Sequence, residues 1–291
     1  MVFKLKTPIN ATWLLPHTSL RYTREENLVI DNVAPINKVS NSSLSFWTKD
    51  TPIEINANDV AIISTPTQLN ECAFVSENPR LDFIRALSAI SRLIGFKDSP
   101  GPHSIEPSAT IGVGCFVDAG VSIGENTILE PNVSIFRNTR IGANCIIRAG
   151  ATIGSSGFGF EREDDGTPIT FPHLGGVVIG DNVEVGACSC IARGTLGDTL
   201  IKDSVKIDNL VHIAHNCVIN NNAFIIACAE ISGGVEVEKN AWIAPNSSVN
   251  QKITVGANSL VGLGAVVVKD VAPGSVVAGN PARILSSTKK D

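Results

Sequence analysis

From Ile105 onward an aliphatic residue returns at every sixth position: Ile105, Ile111, Val117, Ile123, Leu129, Ile135, Ile141, Ile147 and Ile153. After an interruption the period resumes at Ile179, Val185 and Ile191. Four extra residues, Gly197 to Leu200, shift the frame, and it then runs unbroken from Ile201 through Ile207, Ile213, Ile219, Ile225, Ile231, Val237, Ile243, Val249, Val255 and Val261 to Val267. A period of six is neither the 3.6 of a helix nor the simple alternation of a hairpin. It is the hexapeptide pattern of a parallel β-helix, in which three short strands make one coil of about 18 residues. The aliphatic residue points inward, and so does a small residue four places later: Ala109, Cys115, Val121, Thr127, Val133, Cys145 and Cys217. Roughly two dozen hexads give about eight coils, stacked at a strand spacing of ~4.8 Å into a prism roughly 38 Å tall.

Residues 1–100 lack this period. Asn58–Thr65 and Cys72–Ser76 predict short strands. Arg80–Ile94 predicts an amphipathic helix whose apolar stripe is Phe83, Leu87, Ile90 and Ile94, widened by Ile84. Asn78 and Pro79 suit its N-cap and first helical position, and Lys97–Pro102 predicts a linker. The domains expected are a small α/β domain over 1–100, a solenoid over 101–272 with a loop insertion at 155–177, and a tail over 273–291. The insertion is too long for a coil and is expected to protrude.

Aromatic residues make up only 5% of the 291, against 25 glycines, which fits a core built from stacked aliphatics. The net charge is −5 with no basic run, which argues against nucleic acid as the main partner. No apolar stretch approaches the ~20 residues that span a bilayer, and the N-terminal residues lack the pattern of a signal peptide. A cytoplasmic protein is expected. The seven cysteines are odd in number and should stay reduced in the cytosol. Cys188-Ser189-Cys190 has no second pair nearby to complete a zinc site, and no metal is expected.

Two of the five histidines fall in Val211-His212-Ile213-Ala214-His215-Asn216-Cys217. His215 lies two places after the inward Ile213, at a turn, so its ring should face outward. An imidazole with an unperturbed pKa of ~6.5 can take a proton from an ammonium group near neutral pH. The alternative is a structural surface histidine. His212, one place before the inward residue, is either a substrate contact or a plain surface residue. Gly233 follows His215 by one coil, where glycine would let a ligand approach a backbone N–H as an oxyanion donor. That reading is compatible with Ser232-Gly233-Gly234 simply turning a corner.

The solenoid resembles the hexapeptide acyltransferase superfamily, which implies left-handed winding and a trimer with active sites between subunits. More narrowly, Leu44-Ser45-Phe46-Trp47, Glu77-Asn78-Pro79, Gly154-Ser-Ser-Gly-Phe-Gly-Phe160, Ile207-Asp208-Asn209 and Ile213-Ala214-His215-Asn216 occur in an order similar to that of the UDP-3-O-acylglucosamine N-acyltransferases of lipid A synthesis. The resemblance implies that His215 is the general base, that Gly233 supplies the oxyanion N–H, and that Asp208 and Asn209 meet the amino sugar, an ordinary turn being the other reading. It implies that Phe46 and Trp47 stack a uracil base, a core role being the alternative. Phe158 and Phe160 either line the acyl channel or pack under their own loop.

Two departures shift the expected substrate. The C-terminal stretch Val261–Ile284 is similar to that of coenzyme A-dependent acetyltransferases, and Gln251-Lys252 stands where the lipid A family has a second histidine. Gly262 and Gly264 would open a groove between subunits for a pantetheine arm, while Lys269 and Arg283 would meet coenzyme A phosphates; the alternative is that the glycines serve turns and the cations are solvated. The sequence therefore predicts a homotrimeric N-acyltransferase with no bound cofactor, moving an acyl group from acyl-CoA to a UDP- or dTDP-linked amino sugar for surface polysaccharide. One alternative is the lipid A N-acyltransferase itself, using acyl carrier protein. The other is a non-catalytic hexapeptide scaffold.

Overall fold

The computed structural model describes residues 2–48, 59–65, 73–97 and 102–287. Asn58, Cys72 and parts of the expected linker and tail lie outside these residues. The chain divides into two compact units, residues 1–98 with 159–174, and residues 99–158 with 175–291.

The first unit holds a six-stranded mixed sheet and one helix. Its strands are β1 (Phe3–Asn10), β2 (Arg21–Tyr22), β3 (Val29–Val33), β4 (Ser43–Phe46), β5 (Ala61–Ser64) and β6 (Phe74–Val75), in the order β1-β3-β4-β5-β6-β2. The helix α1 (Pro79–Leu93) starts where the sequence predicts: the Leu81 N–H donates to the Asn78 side chain at 3.1 Å, and Pro79 occupies the first turn. Its stripe of Phe83, Ile84, Leu87 and Ile90 is fully buried.

The insertion, expected to protrude as a loop, folds as a hairpin of Phe160–Arg162 and Pro168–Thr170 within this same unit. Two ion pairs hold it to α1, Arg80 with Glu161 at 2.9 Å and Arg85 with Glu163. Phe171 is buried with its ring 6.0 Å from that of Phe83. The physical reason is a match of charge and apolar surface between hairpin and helix that hydrophobic periodicity does not record.

The second unit is a solenoid of stacked parallel coils with three faces of 8, 10 and 8 strands. On the first face Ile123 pairs with both Ile105 and Ile141, and the hexad aliphatics of the other faces pair in the same way. Inward aliphatics from Ile123 to Val277 form one continuous core that also takes in Cys145 and Cys217. Burial pushes the Cys217 thiol up to about 12. The corners require the left-handed backbone, which explains their asparagines: Asn222, Asn240 and Asn258 have φ of 61, 59 and 57°. Their side-chain amides bond in a ladder at 3.2 and 3.0 Å.

Residues expected to form a tail continue the stack. Val277 pairs with Val261, and the strand Ser275–Ala278 turns back against Arg283–Ser287. Val277 is buried in the core with Ala282 packed against it, while Ile284 and Leu285 of the last strand are exposed.

Candidate functional site

The strand His212–Ile213 belongs to the third face, and the turn that follows carries His215 to the corner between the third and first faces. Ile213 is fully buried and anchors the turn. Asn216 takes the left-handed conformation at φ 62° and turns its amide back across the corner. Its Oδ1 accepts the Thr195 N–H at 2.8 Å, and its Nδ2 donates to Thr195 Oγ1 at 3.1 Å. Thus oriented, the amide lies 3.2 Å from His215 Nδ1.

Gly233 sits one coil on, and the Gly234 N–H donates to the His215 carbonyl at 2.9 Å. A Cβ at Gly233 would lie 2.8 Å from His215 Cε1 and 3.0 Å from Nε2. The imidazole edge therefore rests close against the Gly233 backbone, in space a Cβ would take. The amide is open as well. At several equivalent turn positions a side chain from another coil caps the N–H, among them Asp181 at Ala143 (2.8 Å), Asn209 at Ala187 (2.7 Å), Asp208 at Ala227 (3.2 Å) and Glu238 at Ala257 (2.7 Å). Among the described residues no acceptor takes the Gly233 N–H. A half-buried imidazole beside an uncapped amide pairs a proton acceptor with an anion-stabilising donor.

The other candidates are distributed more widely. Asp208 and Asn209 lie at the corner between the second and third faces, one vertex away from His215 in the same coil. Both cap turn amides, and both line a cleft of about 510 Å³ with Arg148, Glu184, Lys206 and Phe224. Phe46 packs on Phe83 with ring centroids 4.6 Å apart, while Trp47 is half-buried against Val60, Ile62 and Val75. Phe158 is exposed in the solenoid unit and Phe160 lies in the hairpin of the first unit.

Within the chain, Gly262 lies against the C-terminal strand. A Cβ there would meet Ala278 Cβ at 2.9 Å, so the glycine admits the returning C-terminal strand. Gly264 occupies a left-handed turn with open space around it, and Lys269 and Arg283 are exposed. His212 is exposed on the third face, where it is the strand partner of Cys190. The sequence reading missed that thiol, and it missed Asn216 and Thr195 as the groups that orient His215. Among the described residues no cluster of three or more His, Cys, Asp or Glu could hold a metal, and no helix is long and apolar enough to cross a membrane.

Hexapeptide models match two segments, that of bacterial transferases (six repeats) over residues 120–155 and that of succinyl-transferases over residues 102–137. A UDP-3-O-acylglucosamine N-acyltransferase of Coxiella burnetii is 31% identical over 286 residues, covering 86% of this chain and 82% of that one. The chain belongs to the UDP-3-O-acylglucosamine N-acyltransferase family. A member from Helicobacter pylori is 34% identical over 191 residues, 58% of this chain and 56% of its own. Among solved structures, a UDP-N-acetylglucosamine O-acyltransferase of Moraxella catarrhalis aligns with a TM-score of 0.56 and 28% identity, covering 64% of this chain and 73% of that one. As a member of the UDP-3-O-acylglucosamine N-acyltransferase family the chain is an enzyme of acyl transfer, which sets aside the scaffold reading.

Family membership also corrects the expected substrate. The acyl-CoA-dependent enzyme for another nucleotide-linked amino sugar rested on the C-terminal stretch and on Gln251-Lys252. The Coxiella burnetii match spans 86% of the chain. The C-terminal stretch, moreover, continues the solenoid by pairing Val277 with Val261.

Asn216→Gly keeps the left-handed turn and removes the amide beside the imidazole together with its bonds to Thr195. Loss of ring orientation is expected to lower kcat by about ten- to a hundredfold with the melting temperature nearly unchanged, read from steady-state rates beside a thermal melt.

Proposed function

We propose that the protein is the UDP-3-O-acylglucosamine N-acyltransferase of lipid A synthesis and that it acylates the sugar amine from an acyl thioester on acyl carrier protein. The observation that carries this reading is His215 against the uncapped Gly233 amide, in a chain of that family. His215 takes the proton that the ammonium of the amino sugar must lose. The amine attacks the thioester carbonyl, and the Gly233 N–H meets the oxygen as it gains negative charge. The carrier thiol leaves, and the amide remains. Base and oxyanion donor come from one corner of one chain, held by backbone on both sides.

Asp208 and Asn209, one vertex away, serve the sugar of a neighbouring copy's site, which makes a homotrimer of left-handed solenoids the working unit. The stacked pair Phe224 and Trp242, 5.0 Å apart and both exposed, favours this, because an apolar ladder on a flat face is an association surface. In the first unit we assign stacking of the uracil to Trp47, since the Phe46 ring is engaged with Phe83.

The test is competition between matched donors, the same 3-hydroxyacyl group on acyl carrier protein and on coenzyme A, with UDP-3-O-acylglucosamine as acceptor. The carrier-protein form is expected to be used at least tenfold faster. Equal or preferential use of the coenzyme A form would overturn the donor assignment.

A further inference from the structure

The third face carries a second chemical group that the acyl transfer above does not use. Its outward residues pair strand to strand in one column: Thr152 with Cys190, Cys190 with His212, His212 with Glu230, and Glu230 with Ser248. Strand spacing of ~4.8 Å puts thiol, imidazole and carboxylate next to one another. Cys190 and His212 are strand partners facing the same side, and the Glu230 charge acts on the same imidazole. Ser155 Oγ lies 3.7 Å from Cys190 Sγ.

His212 lowers the Cys190 thiol pKa, and Cys190 raises that of the imidazole, so each group favours the charged form of the other. The remaining described cysteines differ. Cys145 and Cys217 are buried in the core with their thiols pushed up. The Cys115 thiol donates to the Glu130 carbonyl at 3.1 Å. Cys188 and Cys228 are exposed at left-handed corners, where no imidazole meets them. Among the described cysteines, the half-buried Cys190 alone combines a base, a hydroxyl and a route to solvent.

We propose that Cys190 is a nucleophilic thiol whose substrate class is the acyl thioester, and that the protein acylates itself at this residue. The inference rests on the acyl-transfer reading above. His212 takes the thiol proton, and Sγ attacks the thioester carbonyl carbon. The bond from that carbon to the donor sulfur breaks, and the donor thiolate takes the proton back from the imidazolium. One thioester is consumed and one is formed, with no oxidant or further reactant. Glu230 holds the imidazolium as a positioning residue.

The experiment treats the full chain, without any sugar, with the N-acetylcysteamine thioester of a 3-hydroxy fatty acid, and follows each cysteine by peptide mass spectrometry. An adduct of one acyl group is expected on Cys190, removable by hydroxylamine. It should form at least about tenfold faster than at Cys188 or Cys228, because rate follows the thiolate fraction. His212→Gln is expected to slow it by about tenfold and Cys190→Ala to abolish it. Reaction first at Cys188 or Cys228, no adduct on Cys190, or an unchanged rate in His212→Gln would overturn the proposal. The unmodified protein carries its own comparators in Cys188 and Cys228, so the comparison holds even if a variant fails to fold. Adding UDP-3-O-acylglucosamine to the same sample reads amide formation separately. Amide without the Cys190 adduct removes the thiol proposal alone; the adduct without amide, when the matched acyl carrier protein thioester is also supplied, removes the proposed acceptor alone.

Discussion

His215→Ala is expected to lower kcat by about 10²- to 10⁴-fold, the span usual for loss of a general base, with KM for the acceptor little changed. In transition-state terms this is about 3–5 kcal/mol. The fold should survive, because the hexad aliphatic that anchors this turn is Ile213, which is fully buried, while the His215 ring is only half-buried. Steady-state kinetics beside a thermal melt checks both parts. A variant that turns over near the wild-type rate would remove His215 from the base role.

Gly233→Ala is the second large effect. The added Cβ would stand 2.8 Å from His215 Cε1 and 3.0 Å from Nε2, closer than real Cβ contacts come, so the imidazole must move. It would also intrude on the space in front of the amide that stabilises the oxyanion. Displacing the base and hindering the donor together should cost about 10²- to 10³-fold in kcat. Stability should change little, because no left-handed φ constrains residue 233 to glycine. The pair His215→Ala and Gly233→Ala should be far from additive, since once the ring is gone the Cβ displaces nothing. A double variant as slow as the product of the two single losses would contradict the contact.

The solenoid was legible because each hexad repeats the same physical demand. An inward aliphatic at Ile123, Ile141 or Ile213 must stack on its counterpart, and nothing outside the chain is needed to read that. His215 and Gly233 were legible for the same reason, since coil spacing places one over the other. Cys190 and His212 were not read as neighbours although they are partners in adjacent strands. The four extra residues at 197–200 break the arithmetic that would have joined them. Asp208 and Asn209 were singled out as substrate contacts, yet their capping of Ala227 and Ala187 is a matter of side-chain direction that spacing does not carry.

The first unit was read less well, and for another reason. Asn78 announces the start of α1 through local capping chemistry. The docking of the hairpin on α1 depends on Arg80 and Arg85 meeting Glu161 and Glu163 across a long stretch of sequence, and no local pattern encodes that pairing. The C-terminal stretch misled because its glycines suit two structures. Gly262 suits a ligand groove and a close-packed strand alike, and the approach of Ala278 within the chain is not encoded in the hexad spacing.

The acceptor is read out by kcat/KM for UDP-3-O-acylglucosamine against UDP-glucosamine and a dTDP-linked amino sugar, with one acyl carrier protein thioester as donor. An amide on the sugar nitrogen of UDP-3-O-acylglucosamine is expected, with at least a hundredfold preference over the other two. Equal or faster acylation of an amino sugar that lacks the 3-O-acyl chain would contradict it.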